Sequence, residues 1–134
     1  MLTRFRRWKF ALVADIKKAF LQIKLHKTEQ DVHRFLWNVN GRIRHMRFDR
    51  VTFGNASSPF LLNATVKHHL DKFDESKVVL ELKENLYVDD WLTGADSEEE
   101  IKQMKDEAGN VMSQGFLIVL QCHRPRLRNL TMIW

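Results

Sequence analysis

Adjacent carboxylates inside an apolar run constrain this chain more than any other feature. In the stretch ENLYVDDWLTGADS, Glu84 to Ser97, Asp89 and Asp90 follow Leu86, Tyr87 and Val88 directly and precede Trp91 and Leu92. An ionised carboxylate is rarely buried unless something pairs with it. The pair therefore demands either an exposed turn or a bound cation. The flanking residues read as strand, which puts the pair at a hairpin corner, where Asp is common. On this stretch alone both readings stay open.

Hydrophobic periodicity along the chain supplies the frame around that corner. KFALVAD reads as a buried strand ending at Asp15, and IKKAFLQIKLHK follows with Ile16, Ala19, Phe20 and Ile23 at helical spacing. Phe35, Trp37 and Val39 alternate with other side chains before Asn40-Gly41, a dipeptide suited to the positive φ of a two-residue hairpin turn, and Ile43 to Phe48 forms the return strand. Ser58 in a capping position and Pro59 at the first helical position open a helix carrying Leu62, Val66 and Leu70. Val78 to Val88, containing VVLEL and LYV, reads as strand up to the aspartates, with Trp91 to Thr93 coming back as a short strand that ends at Gly94. Ser97 and Glu100 make a capping box for a helix with Ile101, Met104, Ala108 and Val111 on one face. Gly115 ends that helix, and FLIVL is a last strand. The order β-α-β-β-α-β-β-α-β predicts an α+β fold, an antiparallel sheet with its helices packed on one face.

Composition bounds the rest. With 134 residues, 44% hydrophobic and 29% charged, the chain is sized for one domain over residues 1–134, and no repeat or linker divides it. Lys and Arg number 22 against 17 Asp and Glu, a net charge of +5 that suits a polyanionic partner such as nucleic acid. Cys122 is the only cysteine, so no internal disulfide forms and an intracellular site is the simpler expectation. The apolar run Phe10 to Ala14 is too short to span a bilayer, and no membrane association is expected.

Asp15 closes one buried strand and Asp89 and Asp90 sit at a corner of another hairpin. Two central antiparallel strands can bring the three carboxylates to one edge. Clustered carboxylates repel unless a divalent cation neutralises them, and oxygen-only donors suit Mg²⁺, which takes one or two carboxylates plus substrate phosphates. Two-metal phosphoryl transfer is the reaction such a site supports. Strand neighbours point to opposite faces, so Asp89 ranks above Asp90 as a ligand.

ADIKKAF, TFGNASSPFLLNAT and YVDD, in this order and spacing, resemble three successive palm motifs of reverse transcriptases. DVHRFLW, VTFGNASSPFLLNATVKHHL and YVDDWLTGADS resemble in particular the BEL/Pao group of LTR retrotransposons. The resemblance covers about Leu2 to Phe116. It implies an RNA-directed DNA polymerase palm, with an RRM-like core and a remnant of fingers. Asp15 and Asp89 would bind the catalytic metals, Mg²⁺ or Mn²⁺ in its place, and Asp90 would assist at the same corner. Phe20 would lie beneath the sugar of the incoming deoxynucleotide as a steric gate, although its helical spacing also suits a core position. Gly54 would let backbone approach template or nucleotide, or serve as a plain turn glycine. Tyr87 would support the primer end, or sit half in the core. Phe53 stands where retroviral enzymes commonly carry glutamine, which removes a polar contact to the nucleotide.

The implied partners are an RNA or DNA template with its primer and a dNTP. Thumb and RNase H parts are not expected in this chain, and residues from about 117 to 134 diverge from the family pattern, as in a truncated element without independent activity. Two alternatives stand beside this one: a non-catalytic RNA-binding module, because β-α-β-β-α-β is also the order of an RNA-recognition sheet, and an inactive transposon relic.

Overall fold

A computed structural model describes residues 7–114 and the strand at 120–123. Strand β1 (Phe10–Ile16) leads through a turn into a single helical turn, α1 (Ala19–Gln22), and a 3₁₀ turn at Gln30–His33 precedes the hairpin β2 (Arg34–Val39) and β3 (Arg42–Arg47). Helices α2 (Ser58–Leu70) and α3 (Lys77–Asn85) follow, then β4 (Leu86–Tyr87), β5 (Asp90–Ala95), helix α4 (Glu98–Ser113) and β6 (Leu120–His123). The main sheet has the order β4-β5-β1-β6 with every pairing antiparallel, and among the described residues β2 and β3 pair only with each other.

Alternation along the two central strands separates a core face from an open face. Leu12, Ala14 and Ile16 of β1 and Trp91 and Ala95 of β5 are buried against Leu62, Val66 and Leu70 of α2, Val78, Val79 and Leu82 of α3, and Met104, Ala108 and Met112 of α4. All three long helices thus cover one face, the expected α+β arrangement. The open face of β1 and β5 carries Ala11, Val13, Asp15, Asp90, Leu92 and Gly94, because strand neighbours alternate. Gly94 lies inside β5 rather than ending it. A Cβ there would stand 2.5 Å from the Phe10 carbonyl oxygen and 2.7 Å from the Trp8 side chain, so only glycine lets that segment cross.

Several boundaries differ from the sequence expectation. VVLEL is helix α3, not strand: the Ser76 hydroxyl accepts from the Val79 amide at 3.3 Å and caps it, and Val78, Val79 and Leu82 form its buried stripe. A short run of Val and Leu satisfies both periods, and packing on β5 and α4 chose the helix. The helix expected after Asp15 shrinks to four residues. Ile16 belongs to β1, and Lys18 adopts φ 54°, which breaks the path from strand to helix. Helix α2 starts one residue early, with Ser58 helical and Ser57 at its N-cap. The Asn40-Gly41 turn holds, with φ 52° and 79°. Ser97 caps α4 by accepting from the Glu100 amide at 3.2 Å. Gly115 and Phe116 to Val119 of the expected last strand lie outside the described residues, as does most of the tail from 117; Leu120 begins β6.

Candidate active site

The register between β1 and β5 brings the widely separated carboxylates to one end of the sheet. Asp15 lies opposite Asp90, and both belong to the face away from the helices. Asp90 also pairs with Tyr87 across the tight β4–β5 hairpin, leaving Val88 and Asp89 as the two loop residues. Val88 carries φ 58°. That value is rare for a β-branched residue, and it is the kind of backbone strain that survives only where surroundings over-determine it. Two constraints hold it here: the Val88 side chain packs against the core, and the Ile16 amide donates to the Asp89 carbonyl at 2.8 Å. The second bond staples the corner to the end of β1, beside Asp15.

Asp15 and Asp89 line one hollow of about 420 Å³, together with Lys18, Phe20, Leu21 and Phe53. Asp90 is exposed at the neighbouring register position and does not line it. Among the described residues, no group of three or more His, Cys, Asp or Glu is arranged to hold a metal ion. Two carboxylates on one hollow nevertheless fit a hard divalent cation that completes its shell with water or phosphate oxygens.

Phe20 stands between the core and the hollow. It is half-buried and packs against the core cluster while its ring borders the hollow. Phe53 also lines the hollow and is 78% exposed. The loop presenting it is tied by Asn55 Nδ2 donating to Thr52 Oγ1 at 2.7 Å and by the buried Ser58 hydroxyl donating to the Thr52 carbonyl. Gly54 has φ 91° in that loop, with nothing within 4 Å of where a Cβ would stand, so within the chain it serves the turn and not a close approach. Tyr87 is 68% exposed on β4 and not half in the core. Of the two histidines on α2, His68 is exposed and His69 is buried, with Nε2 donating to the Val111 carbonyl at 2.8 Å, so neither joins the hollow.

Lys18 is the rim residue the motifs did not single out. Its signal was available, as a cation three residues after Asp15, but helical periodicity pointed it elsewhere. The extension of β1 through Ile16 and the left-handed backbone at Lys18 bring it to the hollow. A second, apolar cavity of about 190 Å³ lies behind α1 between Ile16, Ile23, Leu62 and Val66, away from the carboxylates. The open face of the two central strands, β1 and β5, carries no aromatic side chain, whereas an RNA-recognition module needs exposed aromatics on its central strands.

Comparison with known proteins bears on the fold and the family. No curated protein matches the chain. Among solved structures, a foamy viral protease-reverse transcriptase in complex with an RNA/DNA hybrid aligns with a TM-score of 0.62 at 22% identity, covering 84% of this chain and 14% of that one. A second foamy viral protease-reverse transcriptase, in complex with double-stranded DNA, aligns with a TM-score of 0.63 at 21% identity over 87% of this chain and 21% of that one. At this identity the likeness concerns the fold, and the chain spans about a fifth or less of either relative. The sequence profile described as reverse transcriptase (RNA-dependent DNA polymerase) matches residues 3–121. This chain belongs to the reverse transcriptase family.

Proposed function

We propose that the chain is the palm of an RNA-directed DNA polymerase from a BEL/Pao-like LTR retrotransposon, catalysing attack of a primer 3′-hydroxyl on the α-phosphate of a deoxynucleoside triphosphate with release of pyrophosphate. The observation that carries it is the shared hollow, in which Asp15 and Asp89 meet Phe20 across the β1–β5 junction. Asp15 and Asp89 would hold the divalent cations, Mg²⁺ or Mn²⁺ in its place, with Asp90 assisting from the adjacent position. Bound there, such ions supply charge neutralisation at the reacting phosphate and lower the pKa of the attacking hydroxyl.

The chain's own side chains do the remaining work. Lys18 offers a positive charge at the rim, where triphosphate oxygens would lie. The Phe20 ring would meet a 2′-hydroxyl and leave a deoxyribose unhindered. Phe53 replaces a polar nucleotide contact by an apolar one. Tyr87, exposed beside the corner, would support the primer end, and the Gly54 loop would border template or nucleotide. The relatives in complex with an RNA/DNA hybrid and with double-stranded DNA support primer and template as partners.

Primer extension on an RNA template in Mg²⁺ or Mn²⁺ by a polymerase in which this palm is joined to the fingers and thumb of an intact relative, run beside its Asp15→Asn variant, tests the reading. Incorporation is expected to disappear in the variant, and equal incorporation by both proteins would refute it. In the chain alone, calorimetry should show weak Mn²⁺ binding that Asp89→Asn reduces more than Asp90→Asn, since substrate phosphates are not there to complete the shell.

A further inference from the structure

Helix α1 is a single turn, and the segment it belongs to supplies two of the side chains around the carboxylate hollow. Lys18 and Phe20 border the hollow beside Asp15 and Asp89, whereas Ala19 and Gln22 line the apolar cavity behind the turn. The turn begins at a lysine with φ 54°, a backbone that an L-residue keeps only where its surroundings hold it. Four helical residues hold little by themselves, because one turn forms too few hydrogen bonds to offset the ordering of its backbone.

Gln22 ties the segment down through both its side chain and its main chain. The side-chain Nε2 donates to the Lys17 carbonyl, which closes the chain over the left-handed residue. The Gln22 carbonyl accepts from Arg50 Nη1 at 3.1 Å. Beside that bond the Ile23 amide donates to the Phe20 carbonyl at 3.1 Å and the Val51 amide to the Ile23 carbonyl at 2.9 Å, so the end of α1 is fastened to the segment that leads to Phe53. The other end of the side-chain amide is left over. Gln22 Oε1 is buried with no hydrogen-bond partner among the described residues, in a cavity wall shared with Ile16, Ile23, Leu62 and Val66. Exchanging the amide oxygen and nitrogen would set two acceptors face to face at Lys17, which fixes the orientation. A buried acceptor without a partner costs stability. An apolar side chain of the same shape would serve folding as well, so what the amide adds is the bond to Lys17.

We propose that Gln22 is a positioning residue of the candidate active site: it holds Lys18 and Phe20 at the hollow and couples them, through Arg50, to the loop that carries Phe53. The consequence for nucleotide selection rests on the polymerase reading above, whereas the tie itself does not.

Gln22→Met keeps the length and apolar contacts of the side chain and removes its amide. Hydrogen exchange in the full chain tests the tie. Exchange at the Ile23 amide should quicken by about 2- to 10-fold, the weight of one hydrogen bond, in Gln22→Met and in Arg50→Met. Thr65→Val should leave it unchanged, because Thr65 lines the same cavity but its hydroxyl donates to Leu61 within α2. The melting temperature of Gln22→Met should hold, since the lost bond and the removed unpaired acceptor offset each other. In a polymerase joining this palm to the fingers and thumb of an intact relative, Gln22→Met should lower deoxynucleotide kcat/KM by roughly 10- to 100-fold, the effect of a misplacement on the order of 1 Å. The ratio of ribo- to deoxynucleotide incorporation should rise with it, as the Phe20 ring loses its fixed place. A parent polymerase that incorporates nothing refutes the polymerase reading and leaves exchange at Ile23 to decide the tie. Unchanged exchange there overturns the proposal. So does quickened exchange with kcat/KM and the ratio both unchanged, and a lowered melting temperature with an unchanged ratio makes Gln22 a packing residue only.

Discussion

Phe20 and Val88 show how single residues serve packing and site at once. Val88 keeps its unfavourable φ because its side chain is anchored in the core and the next carbonyl is bonded to Ile16, and that bond holds Asp89 against the end of β1. Phe20 borders the hollow with one part of its ring and packs the core with the rest. Replacing it by Val is therefore expected to do two separable things. Lost burial should cost about 1 to 3 kcal/mol in stability, less than a fully buried Phe because the ring is only half covered. In a polymerase with this palm, ribonucleotide incorporation should rise relative to deoxynucleotide, since selection by steric exclusion ends when the bulk is removed. Thermal melting and the ribo-to-deoxy ratio measure the two effects. An unchanged ratio with a lowered melting temperature would leave Phe20 a core residue only.

At the scale of elements, α3 is held by polar ties as well as by its buried stripe. Ser76 caps it through the Val79 amide and also donates to Glu107 on α4 at 2.8 Å, while Lys77 pairs with Glu100 of the same helix. On the α3 side, Glu81 accepts from Asn85 at 2.6 Å and from Thr93 of β5 at 2.8 Å. Ser76→Ala removes the cap and the link to α4 together, and should destabilise the protein by about 1 to 2 kcal/mol, the upper part of the range for a lost N-cap. Chemical denaturation checks this, with an unchanged m-value expected because the folded core stays the same. A loss below a few tenths of a kcal/mol would show that packing on β5 alone keeps α3 helical.

Across the whole molecule, charge pairs tie neighbouring elements together at the surface. Hydrogen bonds from Arg47 and then Arg34 hold the Asp31 carboxyl below its ordinary value, and the hydrogen bond from Lys83 on α3 does the same for Asp71 at the end of α2. A carboxyl lowered on folding contributes stability above its ordinary, unfolded value and loses it as pH falls through the folded one. Both groups are well exposed, so the contribution is small and sensitive to salt. Melting temperatures of Asp31→Asn and Asp71→Asn should lie slightly below that of the parent at neutral pH and converge with it in acid. Variants that stay equally separated at low pH would show that the residues act through something other than their charge.

Local chemistry was enough to read the elements whose formation depends on neighbouring residues. The Asn40-Gly41 turn demands positive φ, Ser97 is placed to cap α4, and strict alternation exposes β1 as a strand with one face for the core. The corner at Asp89 and Asp90 was legible for the same reason, since two carboxylates cannot continue a buried strand. Long-range packing decided what local pattern left degenerate. VVLEL suits a strand or a helix until β5 and α4 offer it a surface, and IKKAF suits a helix until β1 extends through Ile16 and Lys18 turns left-handed. The hollow itself depends on sheet register, because the antiparallel pairing of β1 with β5 and the bond from Ile16 to Asp89 join residues far apart in the chain. That pairing sets Asp15 beside the β4–β5 corner, and no spacing within either motif could have specified it.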